Sequence, residues 1–140
     1  MKFLRFVFAC CLVFSSSTFA NNQHLHPKAD DTSLAKAPTS VAFPGYCEIE
    51  ISNRSFEDVR VYGVFDDGLS MDPFNVYSFE APHYISLFYY GYCHDGMDLY
   101  MDTFSGYNIF SGYVPRYTTI RIVPSRMGSQ HVKIELRAKK

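Results

Sequence analysis

Residues 84–93 read YISLFYYGYC, and this aromatic run decides how the rest of the chain is interpreted. One face of the alternation is mostly apolar and ends in Cys93, while the other face carries Tyr84, Tyr90 and Tyr92. Successive side chains of a β-strand point to opposite faces. The run therefore predicts one half-buried strand with Cys93 turned inward and a row of tyrosines turned outward.

The first twenty residues have the features of a secretory signal peptide. Lys2 and Arg5 precede an apolar run over residues 6–14, and a small, polar stretch ends at Ala20. The apolar run is much shorter than the roughly 20 residues that span a bilayer. We expect cleavage after Ala20, a periplasmic or extracellular location, and no transmembrane span in the mature chain.

Two cysteines remain after that cleavage. Cys10 and Cys11 lie in the signal segment, whereas Cys47 opens a second alternating run, CEIEI over residues 47–51, and also falls on an apolar face. In an oxidising compartment an isolated pair of cysteines is most simply a disulfide. The sequence therefore predicts a bridge between Cys47 and Cys93.

The mature chain of about 120 residues is one domain's worth of sequence. Residues 21–44 are polar, contain several prolines and show no periodicity, so we expect a flexible leader there. The folded domain is expected over residues 45–140, closed by the disulfide.

Short alternating runs separated by turn residues continue through that domain, at 47–51, 58–65, 74–79, 84–93, 97–102, 109–114, 117–123 and 131–137. About eight strands at this spacing predict an all-β, antiparallel two-sheet sandwich, with a small barrel as the alternative. The Asp95–Gly96 pair predicts a tight hairpin after the aromatic run. The architecture is similar to the immunoglobulin fold at the level of fold only, since the chain has no tryptophan to pack on the disulfide.

Charge is distributed unevenly along the domain. Acidic residues predominate between residues 48 and 102, where only Arg54 and Arg60 oppose them, and Glu135 is the only acid after residue 105 among many basic residues. Pairing between late basic and early acidic strands accounts for this pattern, with a basic surface for an anionic partner as the alternative. The domain shows no nucleic-acid-reading motif.

Tyrosine is the residue type that most suggests a function. Tyr suits surfaces that must be apolar and hydrogen-bonding together, and the duplicated segment FSGY at 104–107 and 110–113 adds two more rings beside glycines. The candidate binding face comprises Tyr84, Tyr90, Tyr92, Tyr107 and Tyr113. We expect a secreted, non-catalytic module that binds a protein, peptide or glycan through this face.

Two other classes of function compete with that hypothesis. A small hydrolase or metal-dependent enzyme requires His83, His94 or His131 to approach a carboxylate or a serine, although no catalytic motif is recognisable. A purely structural envelope protein would need the disulfide and nothing more. The acidic loops around Asp66 and Asp95 lack the spacing of a calcium loop, and His24 with His26 forms an incomplete metal site, so we expect no cofactor and no metal.

Overall fold

The computed structural model describes residues 22–28, 47–125 and 132–139. The predicted signal peptide and the candidate residue His131 lie outside the described residues. Within those ranges the regular elements are all β-strands. The strands are β1 (Gln23–His24), β2 (Glu48–Asn53), β3 (Val59–Phe65), β4 (Ser70–Val76), β5 (His83–Ser86), β6 (Phe88–Tyr89), β7 (Tyr92–Cys93), β8 (Gly96–Thr103), β9 (Asn108–Pro115), β10 (Thr118–Pro124) and β11 (Val132–Ala138).

Two larger sheets and one short hairpin contain these strands. Sheet A has the order β1-β5-β2-β10-β11, sheet B has the order β4-β3-β8-β9, and β6 pairs with β7. Most neighbours are antiparallel, but β1 with β5 and β2 with β10 run parallel. The predicted all-β fold with antiparallel sheets is confirmed. Neither sheet closes on itself, so the barrel alternative is wrong.

The alternating apolar residues of both sheets meet in one buried cluster. Its fully buried members include Ile49, Ile51, Ile85, Ile120 and Ile122 from sheet A, and Val59, Val61, Met97, Leu99 and Met101 from sheet B. Cys47 and Cys93 are bonded to each other, with their Cα atoms 5.7 Å apart. The predicted disulfide is confirmed. It joins the residue before β2 to strand β7 of the short hairpin.

The aromatic run at residues 84–93 is not the single strand that we predicted. Its inward alternation holds through Ile85, Leu87 and Tyr89, which are fully buried, and it ends in a two-residue turn. Tyr90 and Gly91 have φ angles of 54° and 83°, the left-handed pair that a type I′ hairpin turn requires. Asn or Asp usually takes the first of these positions, and a tyrosine there concealed the turn in the sequence.

The hairpin predicted at Asp95–Gly96 is wrong. Strand β7 pairs with β6, whereas β8 begins at Gly96 and pairs with β3 and β9. A Cβ atom on Gly96 would lie 2.4 Å from the carbonyl oxygen of Val114 and 2.7 Å from the ring of Tyr113. Glycine is needed here because a neighbouring strand and a ring approach closely, and no tight turn is involved.

Residues 22–28, which we call the strap, lie against the domain. Strand β1 pairs with β5, the Tyr84 amide donates to the Asn22 carbonyl at 2.8 Å, and His26 is buried. The flexible leader predicted over residues 21–44 is therefore wrong for the strap, since two histidines supply contacts that composition does not reveal. Residues 21 and 29–44 lie outside the described ranges.

Smaller differences concern single strands. Strand β4 begins at Ser70, four residues before the predicted start, and follows the Asp66–Gly68 turn directly. Glu48 is buried although its position predicted exposure, and Leu136 is half-exposed although it was predicted in the core. Leu136 lies on β11, the edge strand of sheet A, where one sheet partner is missing and cover is incomplete.

Two ion pairs link the late basic residues to earlier acidic ones, as the charge pattern predicted. Lys139 Nζ lies 2.7 Å from Glu50 Oε2, and Arg116 Nη2 lies 3.4 Å from Asp95 Oδ1. Lys133 and Arg137 instead flank Glu135 on their own strand. Much of the basic charge is thus neutralised within sheet A and its flanks.

Candidate functional site

One end of the domain gathers tyrosine rings and carboxylates from three elements. The β6–β7 hairpin supplies Tyr90 and Tyr92, strand β9 supplies Tyr113, and the β3–β4 turn supplies Asp66 and Asp67. The three rings are 51%, 56% and 52% exposed, respectively. We call this surface, together with the neighbouring Asp95 and Asp98, the Tyr–Asp end.

A column of four stacked rings ends in Tyr92. His26 lies 4.1 Å from Tyr89, Tyr89 lies 3.5 Å from His94, and His94 lies 4.2 Å from Tyr92, measured between ring centroids. The first two pairs are nearly parallel, and the third is inclined by 28°. Because Tyr89 is fully buried, the column holds the Tyr92 ring on a rigid base and leaves its outer face to solvent.

Asp67 holds the hairpin and the strap together. Its Oδ2 accepts hydrogen bonds from His26 Nε2 at 3.0 Å and from the Tyr90 hydroxyl at 3.1 Å, while its Oδ1 accepts from the Leu69 amide at 3.1 Å. His26 Nδ1 accepts from the Lys28 amide, so in the neutral ring the proton is on Nε2. Partial desolvation of Asp67 is outweighed by these hydrogen bonds, which lower the pKa of its carboxyl group.

Tyr113 lies over the glycine at which β8 begins. The close approach of its ring to Gly96 places the hydroxyl among three carboxylates. Partial burial raises the pKa of Tyr113, and the negative charges of Asp66, Asp95 and Asp98 raise it further. The hydroxyl therefore stays protonated, and the field around it is negative.

Burial and nearby charge also act on the two rings of the column next to the turn. Burial raises the pKa of Tyr89, with a further contribution from the carboxylates of Asp66 and Asp67. Burial lowers the pKa of His94, against the opposing effect of the same carboxylates. Both rings are therefore uncharged near neutral pH, and the net charge at this end comes from the carboxylates, Arg116 and Lys28.

The five tyrosines predicted as one face lie on separate surfaces. Tyr90, Tyr92 and Tyr113 share the Tyr–Asp end. Tyr84 is half-buried on sheet A with Lys139 Nζ 5.8 Å from its ring centroid, and Tyr107 lies in the β8–β9 turn at the opposite end of sheet B.

Three residues that organise this end were missed by the sequence reasoning. His26 and Asp67 were considered only as parts of metal sites, and Tyr89 only as one inward residue of a strand. The available signal for a docked strap was the spacing of His24 and His26, which places both side chains on one face of an extended segment. Such a segment can dock as a strand.

A second cluster brings a histidine to a carboxylate, as the enzyme hypothesis required. His83 Nε2 lies 2.7 Å from Glu80 Oε1, and His83 Nδ1 lies 2.8 Å from His24 Nε2. The His24 ring also stacks on Phe74 at 3.4 Å. Both nitrogens of His83 are thus engaged, one by Glu80 and the other by His24.

Two shallow grooves of about 530 and 560 Å³ lie on the outer face of sheet B. Both are lined by Arg60, Pro73 and Asp102, and no histidine lines either groove. Neither of these two grooves is lined by Glu80 or His83. Among the described residues no group of three or more His, Cys, Asp or Glu side chains is placed to hold a metal ion.

Comparison with protein-family models, with curated proteins and with solved structures finds no match to this chain. The described part of the chain contains no helix with the length and hydropathy needed to cross a membrane.

Proposed function

We propose that this chain is a secreted, non-catalytic β-sandwich module, immunoglobulin-like in fold, whose Tyr–Asp end binds a basic peptide segment of a partner protein. The carrying observation is the placement of three half-exposed tyrosine rings around the Asp66–Asp67 turn. Aromatic faces and carboxylates both attract cations. Their combination in one patch favours lysine or arginine side chains over neutral or acidic ligands.

The charge balance at this end supports the same ligand class. Four carboxylates lie there, from Asp66, Asp67, Asp95 and Asp98, and the described cations nearby are Arg116 and Lys28. Arg116 already contacts Asp95, which illustrates the kind of side chain that this surface accepts. A neutral glycan would use the rings but bring no positive charge to the carboxylates.

The expected affinity is modest and dependent on salt. An exposed cation–π contact contributes about 0.5–1 kcal/mol, and a surface ion pair contributes roughly 0–1 kcal/mol. Two or three contacts of each kind give weak binding for a short peptide. Raising the ionic strength from about 0.1 M to about 1 M shortens the screening length from roughly 10 Å to roughly 3 Å, so most of the ionic contribution should disappear.

The test is a titration of the exported, disulfide-bonded protein followed by amide NMR shifts. The probes are a blocked peptide of alternating glycine and arginine, the same peptide with glutamate, and a neutral chito-oligosaccharide. We expect only the arginine peptide to shift the amides of Asp67, Gly91, Tyr92 and Gly96. The intact mass of the protein reports whether cleavage follows Ala20.

Two variants make the titration specific. Tyr90→Asn with Tyr92→Ser removes two rings while asparagine tolerates the left-handed backbone of position 90, and it should abolish the shifts. Tyr107→Ala, with an equally exposed ring at the other end, should leave them unchanged. Shifts with the oligosaccharide alone would indicate that the ligand is a glycan and not a basic peptide. No shift with any probe would contradict the proposal and favour a purely structural protein.

A further inference from the structure

Five exposed aromatic rings lie on three loops at the end of the domain opposite the Tyr–Asp end. The β2–β3 loop (54–58), the β4–β5 loop (77–82) and the β8–β9 turn (104–107) carry them. They are Phe56, Tyr77, Phe79, Phe104 and Tyr107, which we call the aromatic rim. All are at least half-exposed, and Phe56 is 82% exposed.

Ring contacts make the rim continuous across the three loops. Phe56 meets Phe79 edge to face at 5.2 Å, and Tyr77 meets Phe104 in the same way at 6.4 Å. The β4–β5 loop is therefore the centre of the rim, with one neighbouring loop on each side. Contiguous exposed apolar surface of this kind marks an interaction site more often than scattered apolar residues do.

A buried asparagine fixes two of these loops. Asn53 Nδ2 donates to the carbonyl oxygens of Glu57 at 2.7 Å and Val76 at 3.1 Å, and its Oδ1 accepts from the amide and hydroxyl of Ser55. The Asn53 carbonyl in turn accepts from the Phe79 amide at 3.0 Å. Because Asn53 is fully buried, these bonds hold the loops in one arrangement.

The backbone of Phe79 is held in an unfavourable conformation. Its φ angle is 59°, a region that bulky residues seldom occupy and that carries a cost wherever it occurs. This conformation presents the ring to solvent beside Phe56. A strained residue that exposes an apolar ring is more consistent with a docking role than with a packing role.

The acidic side chains of the three loops contact polar groups of the loops themselves and of β5. The Asp58 carboxylate accepts from the amide and hydroxyl of Ser78, and the Glu80 carboxylate contacts His83. Glu57 lies 3.3 Å from the Ser105 hydroxyl. Arg54 is the one basic residue within these fully described loops. Three carboxylates against one arginine give the loops around the rim a net negative charge, which disfavours an anionic surface.

We propose that the aromatic rim inserts into the interfacial layer of a bilayer rich in zwitterionic lipid. Phenylalanine at loop tips with tyrosines beside it suits this layer, since the apolar rings can enter the acyl boundary while the hydroxyl groups stay among the headgroups. A ring as exposed as Phe56 needs no matching pocket in such a medium. The negative loops exclude attraction to anionic lipid as the driving force.

Flotation with vesicles of palmitoyl-oleoyl phosphatidylcholine tests the proposal, using the exported protein whose mass confirms loss of the apolar N-terminal segment. We expect binding that persists at about 1 M salt and that does not strengthen when phosphatidylglycerol is added. Phe56→Ser with Phe79→Ser should lower the partition coefficient about tenfold or more. Tyr90→Asn with Tyr92→Ser should bind vesicles as the parent protein does, which separates this surface from the proposed peptide site.

If the double variant does not fold, as judged by amide NMR dispersion, the single variant Phe56→Ser replaces it in the flotation assay. Binding by the single variant should then fall at least severalfold. Absence of binding to phosphatidylcholine vesicles, or equal binding by parent and phenylalanine variants, would overturn the proposal. So would sedimentation showing a dimer that the phenylalanine variants dissociate, because the rim would then cover a second copy of the chain.

Discussion

His24 makes the docking of the strap sensitive to acid. Its ring is half-buried between Phe74 and the His83–Glu80 pair. Two effects lower the pKa of His24 from 6.5 to about 4. Burial is the larger effect, and the charge of His83 is the smaller one. His24→Phe keeps a ring on Phe74 but removes the titrating group. We expect the variant to lose less stability in acid than the parent protein.

The direction follows from where the proton binds. A histidine whose pKa is lowered by folding binds a proton more readily in the unfolded chain, so stability declines as the pH falls from about 6.5 to about 4. One pKa unit corresponds to about 1.4 kcal/mol, which gives an upper bound of roughly 3.4 kcal/mol for this shift. Screening of a partly exposed ring reduces the expected loss to about 1–2 kcal/mol.

Urea unfolding at about pH 7 and about pH 4.5, followed by tyrosine circular dichroism, measures the difference. Groups remote from His24 are the same in both proteins, so the difference between the two pH dependences reports His24 together with His83, its hydrogen-bonded neighbour. Leu25→Ala, at an exposed strap position, is the control and should keep the parent's pH dependence. The protection factor of the Tyr84 amide against hydrogen exchange should fall in acid more in the parent than in His24→Phe, because this amide donates to the Asn22 carbonyl of the strap. Equal pH dependence in parent and His24→Phe would refute the reasoning.

Three further predictions concern the fold. Removing the disulfide with Cys47→Ala and Cys93→Ala should cost about 4 kcal/mol on the chain-entropy model for a sequence separation of 46, and a loss below about 1 kcal/mol in urea unfolding would contradict that account. Gly96→Ala should lower the free energy of unfolding by about 2 kcal/mol or more, because the added Cβ meets a backbone carbonyl. Gly112→Ala, whose Cβ would have its nearest contact at 3.9 Å, should change it by no more than about 0.5 kcal/mol. Similar melting temperatures for the two variants would argue against this account of Gly96. Asn53→Ala leaves buried loop donors and carbonyls unpaired, so it should lower the free energy of unfolding in urea by about 2–4 kcal/mol. An unchanged free energy of unfolding would count against the role of Asn53 in fixing the loops.

Alternation was enough to predict the strands that have one buried face. Strands β3 and β8 match their predicted runs to within about two residues, because their polar and apolar side chains follow the pleat. The disulfide followed from the same alternation and from the cysteine count. The parallel pairing of β2 with β10 could not be predicted, since period-two patterns report which face is buried and carry no information about the neighbouring strand.

The candidate sites were less accessible to sequence reasoning. Tyr90 and Tyr92 were identified as exposed, but the turn at Tyr90 depends on a backbone conformation that tyrosine seldom adopts. The aromatic rim was missed apart from Tyr107, because Phe56 lies in a loop without periodicity and Phe79 was assigned to a predicted strand over 74–79, whereas β4 ends at Val76. Contacts between distant loops come from the tertiary fold, and single-residue patterns do not encode them.

The position of β2 has a consequence for how the molecule forms. Strand β2 lies between β5 and β10 in sheet A, and residue 50 pairs with residue 119. Contacts of such long sequence separation slow folding, because the intervening chain must be ordered first. A nascent molecule therefore cannot complete sheet A until its distal third has been made.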